Sequence, residues 1–136
     1  MDSTEVVVPG PYITTGLTDA DIEFGMKLWR ELTTSAGFPI AGMLWLLDSE
    51  WHLLIASPVV DELGPRDAYR KLAESVRLSP SDHPRLLRVQ LTSPKNPLYE
   101  ALRSVFGEAA SVEGARLGGS QVGGMYIEDA YLYGVK

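Results

Sequence analysis

The chain has 136 residues, of which 45% are hydrophobic and 22% charged, with no cysteine and a formal net charge of −6. This composition predicts one globular domain over residues 1–136, and it excludes disulfides, thiolate catalysis and cysteine-ligated metals. The acidic balance disfavours general attraction to nucleic acid.

The N-terminal region lacks the basic and apolar segments of a secretory leader, and no apolar run approaches the about 20 residues of a membrane-spanning helix. We therefore expect a cytoplasmic protein that does not enter a membrane. Residues 1–16 are interpreted as a loosely ordered arm, because Pro-Gly-Pro at 9–11 interrupts a short run of valines.

A first helix is predicted to begin after Thr18, whose hydroxyl can accept from free amides of the first turn. Acidic residues follow, where negative charge is favourable. The helix is predicted to stop at Gly37. The residues that repeat at helical spacing, and so predict its buried stripe, are Ile22, Met26, Trp29 and Leu32.

A β-hairpin is predicted next, because two apolar runs at 40–47 and 51–56 are joined by the polar residues 48–50. Neither run alternates between polar and apolar residues. Both strands are therefore expected to be covered on both faces.

Two more helices and three more strands complete the prediction. A helix opens at Pro65 with the stripe Tyr69, Leu72, Ala73 and Val76, a strand covers 86–91, and a strongly amphipathic helix covers 98–106. Strands at 112–117 and 125–135 follow. The order α-β-β-α-β-α-β-β predicts an α+β domain with a mixed sheet, in which the two helical crossovers favour parallel pairing of the strands that they join.

The order α-β-β-α-β-α is similar to the core of restriction-endonuclease-like nucleases. That resemblance implies a divalent metal held by acidic residues together with Glu-x-Lys or Asp-x-Lys on one strand. The predicted third strand contains Arg88-Val89-Gln90-Leu91-Thr92, which has no such pair. The sequence therefore argues against a metal-dependent nuclease, and we expect neither a metal nor a cofactor.

A ligand site is one alternative, formed by Asp48, His52 and the glycine-rich stretch that begins at Gly118 and Gly119. Successive glycines can expose backbone amides to an anion. The stretch lacks the Lys and Ser or Thr of a P-loop, and Ser120 occupies the place of the second glycine of a dinucleotide fingerprint. Neither histidine lies in a spacing typical of a metal ligand or a catalytic relay, so no catalytic residue is assigned.

The leading hypothesis is a non-catalytic module that binds another protein or a second copy of itself. Strands that are apolar on both faces need more cover than a few short helices provide, and an interface can supply that cover. Aromatic residues are common anchors of interfaces. The expected contact residues are Trp51, Tyr126, Tyr131 and Tyr133.

A third hypothesis is binding of nucleic acid through the middle of the chain, where residues 51–105 carry eight bases and six acids. Basic side chains on one surface would neutralise phosphates, and the binding would weaken steeply with salt. The residues proposed for this surface are Arg66, Arg70, Lys71, Arg77, Arg85, Arg88 and Lys95.

Overall fold

The computed structural model describes residues 16–34, 37–107 and 112–136, so most of the predicted N-terminal arm lies outside the described residues. The α+β class and the predicted order of elements are confirmed, with one short helix, α2, added. The described elements are α1 (Asp19–Thr34), β1 (Gly42–Asp48), β2 (Glu50–Ala56), α2 (Val59–Leu63), α3 (Pro65–Ser75), a 3-10 helix (His83–Arg88), β3 (Val89–Thr92), α4 (Pro97–Phe106), β4 (Arg116–Val122) and β5 (Met125–Val135).

The strands form one mixed sheet in the order β3-β2-β1-β5-β4. The predicted hairpin of β1 and β2 is antiparallel, and β3 pairs with β2 in parallel, as the first crossover predicts. The expected pairing of the third and fourth strands is wrong, because β4 lies at the opposite edge and pairs with β5. Two residues join β4 to β5, and a short link favours pairing of neighbours in sequence.

Each face of the sheet covers its own apolar core. Trp45, Leu53 and Ile55 pack on the first face with Leu28 of α1 and Leu72 of α3. The second face packs against α4, whose buried residues are Tyr99 and Leu102. The prediction that both hairpin strands are covered on both faces is therefore confirmed for residues 42–45 and 53–56, whereas Leu46, Leu47 and His52 near the turn are half-buried.

Helix α1 turns a different side to the sheet than its sequence predicts. Its buried residues are Asp21, Phe24, Gly25, Leu28 and Leu32, whereas Ile22, Met26 and Trp29 are only half-buried. Gly25 explains the difference, because a Cβ at this position would lie 2.1 Å from the hydroxyl of Tyr133. Because glycine has no side chain, α1 can approach β5 closely at this position. A prediction based on the spacing of apolar residues does not detect this contact.

The third strand starts later than predicted, because residues 86–88 belong to the 3-10 helix rather than to β3. Leu86 is buried there, whereas Leu87 is 85% exposed.

The glycine-rich stretch belongs to two different elements of the structure. Gly118 and Gly119 lie within β4, while Gly123 and Gly124 form the two-residue turn into β5 with φ of 57° and 81°, values that favour glycine.

Candidate interaction surface

The second face of the sheet has less helical cover than the first. Among the described residues, α4 is the one helix that contributes to the core on this face, whereas α1, α2 and α3 contribute to the other. Helix α4 begins where Asn96 caps it, because the Asn96 side chain accepts from the amides of Leu98 at 2.9 Å and Tyr99 at 3.4 Å. Beside this end of α4 the sheet is open to solvent.

An open depression of about 410 Å³ lies between the start of α4 and the neighbouring ends of β1 and β5. We call it the β1–β5 groove. Six of its eight lining residues are apolar or aromatic and two are acidic, with no base among them. The lining residues are Leu46, Leu47, Asp48, Leu98, Met125, Tyr126, Ile127 and Glu128.

Carboxylates give this groove a negative rim. Asp48 and Glu128 line it, and Glu50 lies directly opposite Asp48 in the ladder of β1 and β2. Residues opposite one another on antiparallel strands have Cβ atoms about 5 Å apart. All three acids are exposed, so their charges act on molecules that approach from solvent.

Two tight turns fix the parts of the groove that β1 and β5 provide. At the end of β1, Ser49 alone joins Asp48 to Glu50 and adopts a left-handed φ of 68°. At the start of β5, the turn at Gly123 and Gly124 sets Met125 opposite Val122. Strand pairing continues up to both turns, so the groove is built on regular elements rather than on long loops.

The four aromatic residues expected at an interface divide into two groups. Trp51 is 4% exposed and Tyr133 is 1% exposed, and both belong to the core of the first face. Their burial corrects the expectation that they contact a partner. Tyr131 is half-buried and its ring lies 5.3 Å from that of Tyr133, edge to face. Tyr126 is 64% exposed and lines the β1–β5 groove.

The ligand site expected from Asp48, His52, Gly118 and Gly119 does not form. His52 lies on β2, whereas both glycines lie on β4, and β1 and β5 run between these strands. Three strand spacings separate His52 from the glycines by about 14 Å. Of the four residues, Asp48 alone lines the groove.

The basic residues expected to bind nucleic acid are scattered over several elements, and two of them are held by a buried carboxylate. Oδ1 of Asp21 accepts from Nε of Arg85 at 3.0 Å and from Nη1 of Arg88 at 2.9 Å. The Arg88 guanidinium also lies 4.8 Å from the ring centroid of Trp45. Arg70 pairs with Asp67 at 3.6 Å on α3.

Asp21 has a structural role that the sequence does not reveal. Burial by itself raises its pKa, but hydrogen bonds from Thr18 and Arg85 and the charge of Arg88 outweigh burial, so the pKa of Asp21 is lowered. Thr18 and Asp21 also exchange reciprocal bonds between side chain and backbone amide at 3.0 and 3.1 Å. Asp21 therefore completes the cap that Thr18 forms at the start of α1, and its ion pairs with Arg85 and Arg88 join α1 to the 3-10 helix.

Two further depressions lined by described residues, both beside α1, offer less apolar surface. One of about 480 Å³ beside α1 is lined by balanced charges, and in it Lys27 pairs with Asp82 at 3.6 Å. In the described part of the chain, no three His, Asp or Glu side chains are grouped so that they could hold a metal ion. No described helix is both long and apolar enough to cross a membrane.

Comparison with known proteins identifies no relative. No family model matches the chain, and no curated protein or solved structure is similar to it. The geometry of the described residues is therefore the basis for any proposal about function.

The groove combines residues that the sequence analysis assigned to separate patterns. Leu46 belongs to the predicted strand 40–47 and Leu98 to the predicted helix 98–106, and no role was assigned to Glu128. The sequence does contain one signal for the acidic rim of the groove. Asp48 and Glu50 flank the turn between β1 and β2, and Glu128 lies near the start of β5. Only the pairing of β1 with β5 brings them to one place.

Proposed function

We propose that this chain is a non-catalytic module that binds another protein in the β1–β5 groove. The observation that carries the proposal is an exposed tyrosine, Tyr126, beside an apolar depression on a sheet face that one described helix covers. Large aromatic side chains next to apolar pockets are typical anchors of protein interfaces. An apolar face of a sheet is stabilised when another element packs on it.

Site-specific photocrosslinking tests this proposal. A benzophenone amino acid in place of Tyr126 is expected to yield a reproducible protein adduct in cells that produce the chain. The matched control carries the same amino acid in place of Leu87, which is 85% exposed in the 3-10 helix beside β3, at the other edge of the sheet. Adducts at both positions, or at neither, would contradict the proposal.

A second variant shows whether the groove itself is responsible. Leu46 lines the groove and is half-buried, so Leu46→Asp places a charge in its apolar part. We expect this change to abolish the adduct at position 126 while circular dichroism still shows a folded chain. An adduct that persists at full yield would show that the contact at Tyr126 does not involve the groove.

Self-association is a second candidate, which the position of β4 favours. β4 ends the order of the described strands, so one side of its backbone has no neighbouring strand among the described residues. Such an edge can pair with the same strand of a second copy. We expect any dimer seen by sedimentation equilibrium to be lost in Ser120→Lys, because a lysine on an edge strand opposes pairing. A dimer that persists in this variant would exclude the β4 edge.

A further inference from the structure

We propose that the partner in the β1–β5 groove is a basic amphipathic helix that packs beside α4. The inference rests on the proposed function and specifies the chemistry of the partner. An apolar stripe on the helix would contact the groove, while flanking Lys or Arg residues would pair with the carboxylates of the rim.

Charge complementarity indicates a basic partner. Asp48 and Glu128 line the groove, Glu50 lies opposite Asp48, and no described lysine or arginine is among the lining residues. Opposite charges across an interface favour the encounter and select the partner, whereas like charges that meet there oppose binding. The net charge of −6 on the whole chain acts in the same direction.

The dimensions of the sheet indicate a helix. The two outermost of five strands lie about 19 Å apart, whereas one helix with its side chains is about 10 Å wide. Helices α1 and α3 share the first face, but α4 alone contributes to the second among the described helices. Leu44, Leu54 and Ala56 are buried on the second face, so its open part is the β1–β5 groove, where one more helix would lie next to Leu98 of α4.

The same charges argue against a second copy of this chain in the groove. In a two-fold dimer that joins groove to groove, each copy would present the same patch to the other. Asp48 and Glu128 of one copy would then face the same carboxylates of its partner. Like charges in direct opposition destabilise such a contact.

Two designed peptides of 18 residues test the inference. Both carry leucines at i, i+3, i+4 and i+7 along one face, with lysines flanking this stripe in one peptide and glutamates in the other. Fluorescence anisotropy at low and moderate salt measures their dissociation constants. We expect the lysine peptide to bind at least about tenfold more tightly than the glutamate peptide, the effect of two or more exposed ion pairs.

A matched pair of variants separates the groove from general attraction to an acidic protein. The double variant Asp48→Asn and Glu128→Gln removes two charges from the rim, and it is expected to weaken the lysine peptide about tenfold. The control, Glu62→Gln and Glu74→Gln, removes two exposed charges from α2 and α3 and changes the net charge equally. Equal weakening in both variants would overturn the inference.

The outcomes also distinguish this inference from the proposed function. If position 126 yields protein adducts but the two peptides bind equally, the groove binds protein and the inference of a basic partner is wrong. If position 126 yields no adduct and neither peptide binds, the proposed function itself fails. Binding of the lysine peptide that is lost in Leu46→Asp and in the rim variant supports both.

Discussion

Tyr126 and Tyr133 lie on the same strand, β5, yet Tyr126 is 64% exposed and Tyr133 is 1% exposed. The hydroxyl of Tyr133 donates to the backbone oxygen of Ile22 in α1 at 2.7 Å, so this tyrosine joins helix to sheet. Burial raises the pKa of Tyr133 far above its ordinary value. One tyrosine is thus part of the core, and the other is available to a partner.

This contrast gives a prediction for stability. Tyr133→Phe removes a buried hydrogen bond and is expected to lower the free energy of unfolding by about 1 kcal/mol. Tyr126→Phe changes an exposed side chain and should alter it by less than about 0.5 kcal/mol. Urea unfolding of both variants measures the difference. Equal destabilisation would show that the two tyrosines do not differ as described.

The close approach of α1 to β5 gives a second prediction. Gly25→Ala would place a Cβ 2.1 Å from the hydroxyl and 2.4 Å from the Cζ of Tyr133, so helix and strand would have to separate. We expect a loss of at least about 2 kcal/mol in the free energy of unfolding, although alanine favours helices over glycine by about 1 kcal/mol.

Gly118→Ala is the matched control for this prediction, because nothing lies within 4 Å of a Cβ at Gly118 and its φ is not positive. This variant should unfold within about 0.5 kcal/mol of the parent chain. If Gly25→Ala also left the free energy of unfolding unchanged, α1 would not lie as close to Tyr133 as described.

Asp21 gives a prediction for the dependence of stability on pH. Its pKa in the folded chain lies below the ordinary value of 3.8, so its contribution is present above that pH and is lost as the pH falls through the folded pKa. Asp21→Asn should lower the free energy of unfolding at pH 7 by about 2 kcal/mol. This loss of stability is smaller than the loss expected on breaking a fully buried ion pair, because the side chains of Arg85 and Arg88 are 25% and 32% exposed.

Unfolding by urea between pH 7 and pH 3 measures this contribution. The Asp21→Asn variant should lose less stability than the parent chain on acidification, because it lacks the carboxylate that becomes protonated. Asp67→Asn, which removes an exposed partner of Arg70, is the control and should leave both the stability and its pH profile nearly unchanged. Parallel pH profiles for the parent and Asp21→Asn would contradict the assignment.

The end of the chain provides a fourth prediction. The Tyr99 hydroxyl donates to the backbone oxygen of Lys136 at 2.9 Å and accepts from its amide at 3.0 Å. Tyr99 has 0% exposure, so Tyr99→Phe leaves the backbone of Lys136 without this partner. The Lys136 amide also donates to the backbone oxygen of Ala41 at 2.9 Å, so we expect a loss of about 1 kcal/mol with only a moderate increase in hydrogen exchange of this amide. Unchanged stability together with unchanged exchange would show that the hydroxyl does not hold the end of the chain.

The sequence predicted those features that depend on neighbours along the chain. The hairpin of β1 and β2, the cap at Thr18 and the crossover from β2 to β3 each follow from local signals, and the structure confirms them. Features set by distant contacts were not predictable. The placement of β5 beside β1 depends on contacts between segments that are far apart in the chain, and the buried side of α1 depends on a glycine that faces a tyrosine more than 100 residues later.

The candidate site shows the same division. Tyr126 was proposed from its residue type, since aromatic residues are common anchors of interfaces. The acidic rim was not foreseen, because Asp48 and Glu128 are 80 positions apart and meet through the pairing of β1 with β5. Trp51 was wrongly proposed as a contact, because residue type does not distinguish a core tryptophan from an exposed one.

The central claim is that the β1–β5 groove binds protein, and backbone amide NMR during titration with the lysine-flanked peptide tests it most directly. We expect the chemical-shift changes to concentrate at residues 46–48, at Leu98 and at residues 125–128, and to disappear in Leu46→Asp. Changes spread evenly over the acidic surface, or centred on α2 and α3, would contradict the claim.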